Sequence, residues 1–186
     1  MVIAGTLTAY SAQPYSDADI YWEDPGAGSV VLARLAGEHL GPGEAEVLEV
    51  SAAGDTVWRR RLGVEPIRLT RPMVEAAIDE WYDVGWPDPV PRDAVERALH
   101  APEYVPAVKV FSLASSGHIW VQSHERRDTL RVWYTLKRRD NEGPPRRVLL
   151  PEWFEVLDAT ETHVWGIWKD ELDINYVVGR RLVRGS

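Results

Sequence analysis

A short motif of a histidine, an apolar residue and a tryptophan occurs twice in the second half of the sequence. His118-Ile119-Trp120-Val121 returns as His163-Val164-Trp165-Gly166, 45 residues later. Apolar residues on both sides of the motif recur at nearly the same spacing: Val108, Val110, Leu130, Val132 and Leu136 match Phe154, Val156, Tyr176, Val178 and Leu182. These matches fall on alternate residues, which is the period of a strand with one buried face. The sequence therefore predicts two copies of one β-sheet unit.

A period of about 40–50 residues is typical of β-propeller blades, each of which is a four-stranded antiparallel sheet. The first part of the chain also contains a clear hairpin, with strands over 46–51 and 56–62 and a turn at Gly54. We therefore predict an all-β fold, a partial β-propeller of about three four-stranded antiparallel blades. The first blade covers 1–62, the second 107–150 and an incomplete last blade 151–184. The segment Val2 to Tyr10 is the candidate for the strand that completes the last blade.

The residues between the first two blades have a different character, so 63–106 is predicted to be a helical insertion. Thr70 can cap a helix whose apolar residues Val74, Ala77, Ile78 and Trp81 have helical spacing. A second short helix is predicted over Arg92 to His100, so helix occupies about 70–101. About forty residues is too long for an ordinary connection between strands.

Charge and composition argue against several functions. A net charge of −8 argues against nucleic acid as a partner. The basic clusters at 59–61, 137–139 and 180–181 lie beside predicted strands, and we interpret them as solvating edges and outer faces. The chain has no cysteine, which excludes disulfides and thiolate chemistry. The five histidines lack zinc-binding spacing.

No apolar run approaches the roughly 18–20 residues that a membrane span requires, so no transmembrane segment is expected. The first thirteen residues lack the positive region of a signal peptide.

The sequence resembles the C-terminal half of bacterial six-bladed β-propeller proteins over roughly residues 19–184. The segments that carry the resemblance are 54–58, 117–121, 150–151, 164–166, 170–173 and 176–177. The resemblance implies a toroidal all-β fold and an extracytoplasmic location, and it supplies no catalytic residues. The chain contains only about half of such a ring. Either it is a fragment of a longer protein, or two chains form a homodimer that completes the ring, or the helical insertion caps one end.

Acidic residues recur in the loops that this assignment places on one side of the ring. Glu125 and Asp128 lie in the loop between the second and third strands of one copy, and Asp170 and Asp173 lie 45 residues later in the next copy. Trp153 and the helical insertion belong to the same side, whereas His118 and His163 lie on the opposite one. The predicted ligand-binding surface consists of Glu125, Asp128, Trp153, Asp170 and Asp173. Because calcium takes several carboxylate oxygens as ligands, these carboxylates favour calcium as the possible cofactor. The alternative is that these carboxylates suit solvated turns.

The favoured function is a non-catalytic binding or protein-interaction scaffold, whose ligand is an unknown protein or small molecule. One alternative is a calcium-dependent, lactonase-like hydrolase of the six-bladed propeller type, with Glu125, Asp128, Asp170 and Asp173 near the cation. A second alternative is a glycan-binding β-sandwich, which predicts exposed tryptophans on one sheet face.

Overall fold

The computed structural model describes residues 9–10, 15–24, 28–83, 91–99, 101–172 and 174–183. These residues form mainly β-strands, so the prediction of an all-β fold is confirmed. The strands are β1 (Ala9–Tyr10), β2 (Ile20–Asp24), β3 (Ser29–Arg34), β4 (Glu44–Ser51), β5 (Thr56–Gly63), β6 (Val110–Leu113), β7 (His118–Arg127), β8 (Leu130–Lys137), β9 (Arg146–Pro151), β10 (Glu155–Ala159), β11 (His163–Lys169) and β12 (Asn175–Arg181).

The strands form three antiparallel sheets in chain order. The first sheet is β2-β3-β4-β5, the middle sheet is β1-β6-β7-β8-β9 and the last sheet is β10-β11-β12. Apart from β1, the strands within each sheet pair in the order in which they occur along the chain. The connections therefore alternate between two ends of the sheets. At one end, called the hairpin end, lie the β6–β7, β8–β9 and β10–β11 turns. At the other, called the helix end, lie the helical segment, the β7–β8 turn, the β9–β10 connection and the β11–β12 loop.

The N-terminal strand does not complete the last sheet, so this prediction is wrong for the residues described. Ala9 pairs with Phe111 and Tyr10 with Val110, which makes β1 a fifth strand of the middle sheet. This pairing covers the edge of β6, whose backbone groups would otherwise lack a strand partner on that side. Residues 2–8 lie outside the described part of the chain.

The middle sheet is buried on both faces, which gives the fold two cores. Ile119 and Val121 pack in a core with first-sheet residues such as Val47. Trp120 lies between them in sequence and packs instead in a second core with last-sheet residues such as Val164. This alternation is what a strand between two packed sheets requires. The three sheets are therefore stacked face to face.

The repeated tryptophans occupy corresponding positions in their sheets. Trp120 on β7 pairs with Thr135 and lies on the face away from the first sheet. Trp165 on β11 pairs with Gly179. It lies on the face opposite buried Val164, and therefore away from the middle sheet. Trp120 is covered by the last sheet, whereas Trp165 is half-buried and stacks on His163 with ring centroids 5.9 Å apart.

Two helices interrupt the strands as predicted, α1 (Arg71–Asp83) and α2 (Arg92–Ala98). Ile78 and Val95 are their buried residues. The base of this segment is closed by a short antiparallel contact in which the Leu69 N–H donates to Glu103 O and the Val105 N–H donates to Ile67 O. Within the described residues, neither helix combines the length and the apolar character of a membrane span.

Candidate functional site

Glu125 is held by two side chains of its own sheet. It is 8 % exposed, and its carboxylate accepts hydrogen bonds from Tyr134 Oη at 2.6 Å and Arg147 Nη2 at 2.9 Å. Burial, followed by the hydrogen bond to Glu125, raises the pKa of Tyr134 to about 12. Both carboxylate oxygens of Glu125 therefore already have protein donors, and the residue cross-links β7, β8 and β9.

Glu125 thus lies within β7 and not in the predicted loop, whereas Asp128 and Asp170 do lie in turns or loops. Asp170 accepts hydrogen bonds from the backbone N–H groups of Leu172 and Ile174, both at 2.9 Å, and the Ile174 bond is the main cause of its lowered pKa. Asp170 thus holds the β11–β12 loop in shape. Asp128 is exposed in the β7–β8 turn with φ 54°, a left-handed conformation that aspartate tolerates better than most residues. Asp173 lies outside the described residues.

The three predicted carboxylates that the structure describes belong to no group that could hold a metal ion. Among the residues that the structure describes, no three His, Asp or Glu side chains come together in a group that could hold a metal ion. Glu125 belongs to the middle sheet and Asp170 to the last sheet. The calcium site remains a prediction.

Trp153, by contrast, belongs to a cluster of exposed aromatic side chains at the helix end. Its ring centroid lies 6.3 Å from that of Trp168, and Trp168 lies 5.3 Å from Tyr176. Arg180 lies over the Trp153 ring, 5.8 Å from its centroid, which is cation–π distance. We call Trp153, Trp168, Tyr176 and Arg180 the aromatic cluster.

The local strand geometry explains how the aromatic cluster forms. Trp168 on β11 and Tyr176 on β12 are directly opposite each other in the antiparallel register, so their side chains share one face. Trp153 comes from the short β9–β10 connection and reaches the same face. Trp153, Trp168 and Tyr176 remain 45 %, 39 % and 42 % exposed, respectively. Leu172 and Ile174 are also exposed in the adjoining loop. The cluster is therefore a solvent-facing apolar surface with one guanidinium group.

The sequence prediction found only Trp153 of this cluster. The sequence did contain an indication of the other two rings, because Trp168 and Tyr176 lie on the two sides of the β11–β12 loop. Residues in such positions face each other across a hairpin.

A second polar site joins the first and middle sheets at the hairpin end. Glu49 is fully buried and accepts paired hydrogen bonds of 2.6 and 3.0 Å from Arg138 and from Arg139. Arg138 also donates to Asp24 at 2.6 Å and to Ser29 at 2.8 Å. The bonds from Arg139 and Arg138 lower the pKa of Glu49 to about 2, so it is ionised at neutral pH.

This ionic network corrects the interpretation of the basic cluster at 137–139. Arg138 was expected to solvate an outer face, yet its side chain is 13 % exposed and pairs with a fully buried carboxylate. Since both oxygens of the buried Glu49 carboxylate are occupied by Arg138 and Arg139, the network stabilises the contact between two sheets, and this carboxylate is not available to a ligand.

Comparisons of this chain with protein-family models, with curated proteins and with solved structures found no match.

Proposed function

We propose that this chain is a non-catalytic protein-interaction scaffold of β-propeller type, and that it binds its partner through the aromatic cluster. The observation that carries the proposal is the distribution of exposed apolar side chains. Five of the ten large ones in the described part of the chain are Trp153, Trp168 and Tyr176 of the aromatic cluster and Leu172 and Ile174 of the adjoining loop. Large apolar patches on a protein surface commonly mark interaction sites.

The chemistry of the aromatic cluster favours a protein partner. Tryptophan, tyrosine and arginine are the residue types most enriched among those that dominate binding energy at protein interfaces. All three types occur here within ring-contact distance of one another. Contacts between Trp153, Trp168 and Tyr176 restrict their rotation before binding, which reduces the entropy lost when a partner docks.

The stacking of the sheets supports the propeller part of the proposal. Three antiparallel sheets follow one another along the chain, and the middle one packs against both neighbours. Trp120 and Trp165 correspond in strand and in face, as successive blades require. In this arrangement the outer face of the last sheet, with Trp165 half-buried and Val177 72 % exposed, is where another blade would pack.

The proposal can be tested by comparing proteins retained from a cell extract by the immobilised wild-type chain and by a variant with Trp168→Ala and Tyr176→Ala. Tyr21→Ala is the matched control, because Tyr21 is an aromatic residue that is 62 % exposed on the first sheet. We expect at least one protein to be retained by the wild type and the control and to bind the double variant at least about 30-fold more weakly. If no retained protein depends on the aromatic cluster, the proposal is wrong.

Melting temperatures of all three proteins establish that the double variant is folded. Light scattering of the wild type addresses the case in which the partner is a second copy of the chain. A dimer mass that reverts to a monomer mass in the double variant identifies that partner.

A second candidate function is glycan binding through the same aromatic cluster. Trp168 and Tyr176 lie side by side on one sheet face, as aromatic rings that stack on sugars must. A glycan array run with the same three proteins distinguishes the candidates. Glycan binding that requires Trp168 and Tyr176, without a cluster-dependent protein partner, would favour this second function.

The calcium-dependent hydrolase has less support, since Glu125 is occupied by Tyr134 and Arg147 and Asp170 by its own loop.

A further inference from the structure

A cleft opens at the hairpin end between the middle and last sheets, whereas the three rings of the aromatic cluster lie at the helix end. Its volume is about 390 Å³, which lies within the range of pockets that bind small molecules. One wall comes from β7, β8 and β9, and the other from the β10–β11 turn and Leu182. The cleft thus lies where the middle and last sheets pack, and Arg60 of the first sheet also lines it.

The apolar part of the cleft includes Trp120, Val148 and Leu182. Trp120 is 1 % exposed, and its Nε1–H has no hydrogen-bond partner among the described residues. Trp58 and Trp133 also have buried Nε1 atoms without partners, but only Trp120 lines this cleft. Trp120 therefore forms part of the apolar floor of the cleft, and its Nε1 atom lies beneath the surface.

The rim of the cleft carries three cationic side chains, Arg60, Lys137 and Arg146. Arg60 donates to the backbone carbonyls of Asp140 and Gly143, and Arg146 donates to the Glu161 carbonyl at 3.4 Å. Within the described residues, neither guanidinium forms an ion pair with a carboxylate. Their positive charge is therefore not neutralised by a neighbouring side chain.

Two carboxylates, Glu142 and Glu161, also line the cleft, and a third, Asp140, pairs with Lys137 at 3.8 Å, so cationic and anionic side chains are equal in number there. This local balance contrasts with the net charge of −8 for the whole chain. Guanidinium groups bind carboxylates and phosphates well because their donors form a planar fork.

We infer that the cleft between the middle and last sheets binds a small organic carboxylate with a flat apolar body. The carboxylate lies near Arg146 and Lys137 at the rim, and the apolar body lies against Trp120, Val148 and Leu182. Neither the aromatic cluster nor the partner proposed above takes part in this binding.

Benzoate and phenylacetate serve as probes of this class, and their amides, benzamide and phenylacetamide, serve as uncharged counterparts of nearly the same shape. Binding is measured by calorimetry and by the shift of the Trp120 Nε1–H resonance, which is assigned by its loss in Trp120→Phe. We expect the carboxylates to bind and to move this resonance, and the amides to bind at least about tenfold more weakly.

Arg146→Gln tests the contribution of the rim, with Arg59→Gln as the matched control. Arg59 is an exposed first-sheet arginine that does not line the cleft. We expect Arg146→Gln to weaken carboxylate binding about tenfold and Arg59→Gln to leave it unchanged. Melting temperatures confirm folding, and Lys137→Gln replaces Arg146→Gln if the latter does not fold.

Four results would overturn the inference: no binding of either carboxylate at millimolar concentration, equal binding of acids and amides, equal effects of the two arginine variants, or no movement of the Trp120 resonance. Inorganic phosphate is tested in parallel. If phosphate binds with the same dependence on Arg146 while the carboxylates do not bind, the cleft is an inorganic anion site and the assignment is wrong.

Discussion

Replacing Glu49 with glutamine removes one charge from the ionic network between the first and middle sheets while keeping the shape of the side chain. The pKa of Glu49 is about 2 in the folded protein, compared with an ordinary value of 4.5. This difference corresponds to about 3 kcal/mol of folding stability at neutral pH, since each pKa unit is worth about 1.4 kcal/mol. Because Arg138 is nearly buried and loses a partner, we expect Glu49→Gln to lower the free energy of unfolding by about 2–4 kcal/mol.

The assay is urea unfolding of both proteins as a function of pH. A carboxyl group whose pKa is lowered by folding stabilises the fold above its unfolded-state pKa of 4.5. This stabilisation is lost as the pH falls towards 2. The difference between wild type and variant should therefore be full at pH 7 and shrink below about 4.5.

Glu103→Gln is the matched control for Glu49→Gln. Glu103 pairs with Arg68 at 3.4 Å, but both side chains are exposed, so we expect a loss below about 1 kcal/mol. A loss at Glu49 no larger than at Glu103, or a loss that does not change between pH 7 and pH 3, would refute the argument that this buried pairing stabilises the contact between the sheets.

Two further substitutions test packing and burial. A Cβ on Gly166 would lie 2.5 Å from the Phe154 ring, so we expect Gly166→Ala to lower the free energy of unfolding by more than about 2 kcal/mol. Gly63→Ala is the control, because a Cβ on Gly63 meets no atom within 4 Å and should change the free energy of unfolding little. Equal effects in urea unfolding would contradict this packing. Burial, followed by the charge of Lys109, lowers the pKa of His124 to about 3. The neutral form is therefore favoured in the fold, and stability should fall by about 1 kcal/mol per pH unit as the pH drops from 6.5 towards 4.5, a slope that His124→Gln should abolish. An unchanged slope would show that His124 titrates normally.

The elements with strong local signals were predictable from the sequence. The hairpin over 46–62 was expected because Gly54 marks its turn, and Gly54 does adopt a positive φ of 90°. The first helix was expected from the spacing of Val74 and Ile78 and lies at Arg71–Asp83. Such features depend on residues close in sequence, so pattern and turn chemistry suffice to find them.

The features that depend on long-range contacts were not predictable in the same way. Nothing near Ala9 and Tyr10 in the sequence indicates that they pair with β6, about a hundred residues away. The role of Arg138 depends on Glu49, which lies in a different sheet. Glu125 looked available for a ligand because Tyr134 and Arg147, which bind it, are brought to it only by folding.

The middle sheet has consequences for how this chain can be divided. Trp120, Trp133 and Leu150 are covered only when β10–β12 are in place. A polypeptide cut after Pro151 would therefore expose an apolar face of the middle sheet to water. A cut between β5 and β6 would expose the other apolar face of the middle sheet, which packs against the first sheet. Each face of the middle sheet is buried by a different neighbour, so we expect a piece of this chain to stay folded only when it keeps two adjacent sheets together.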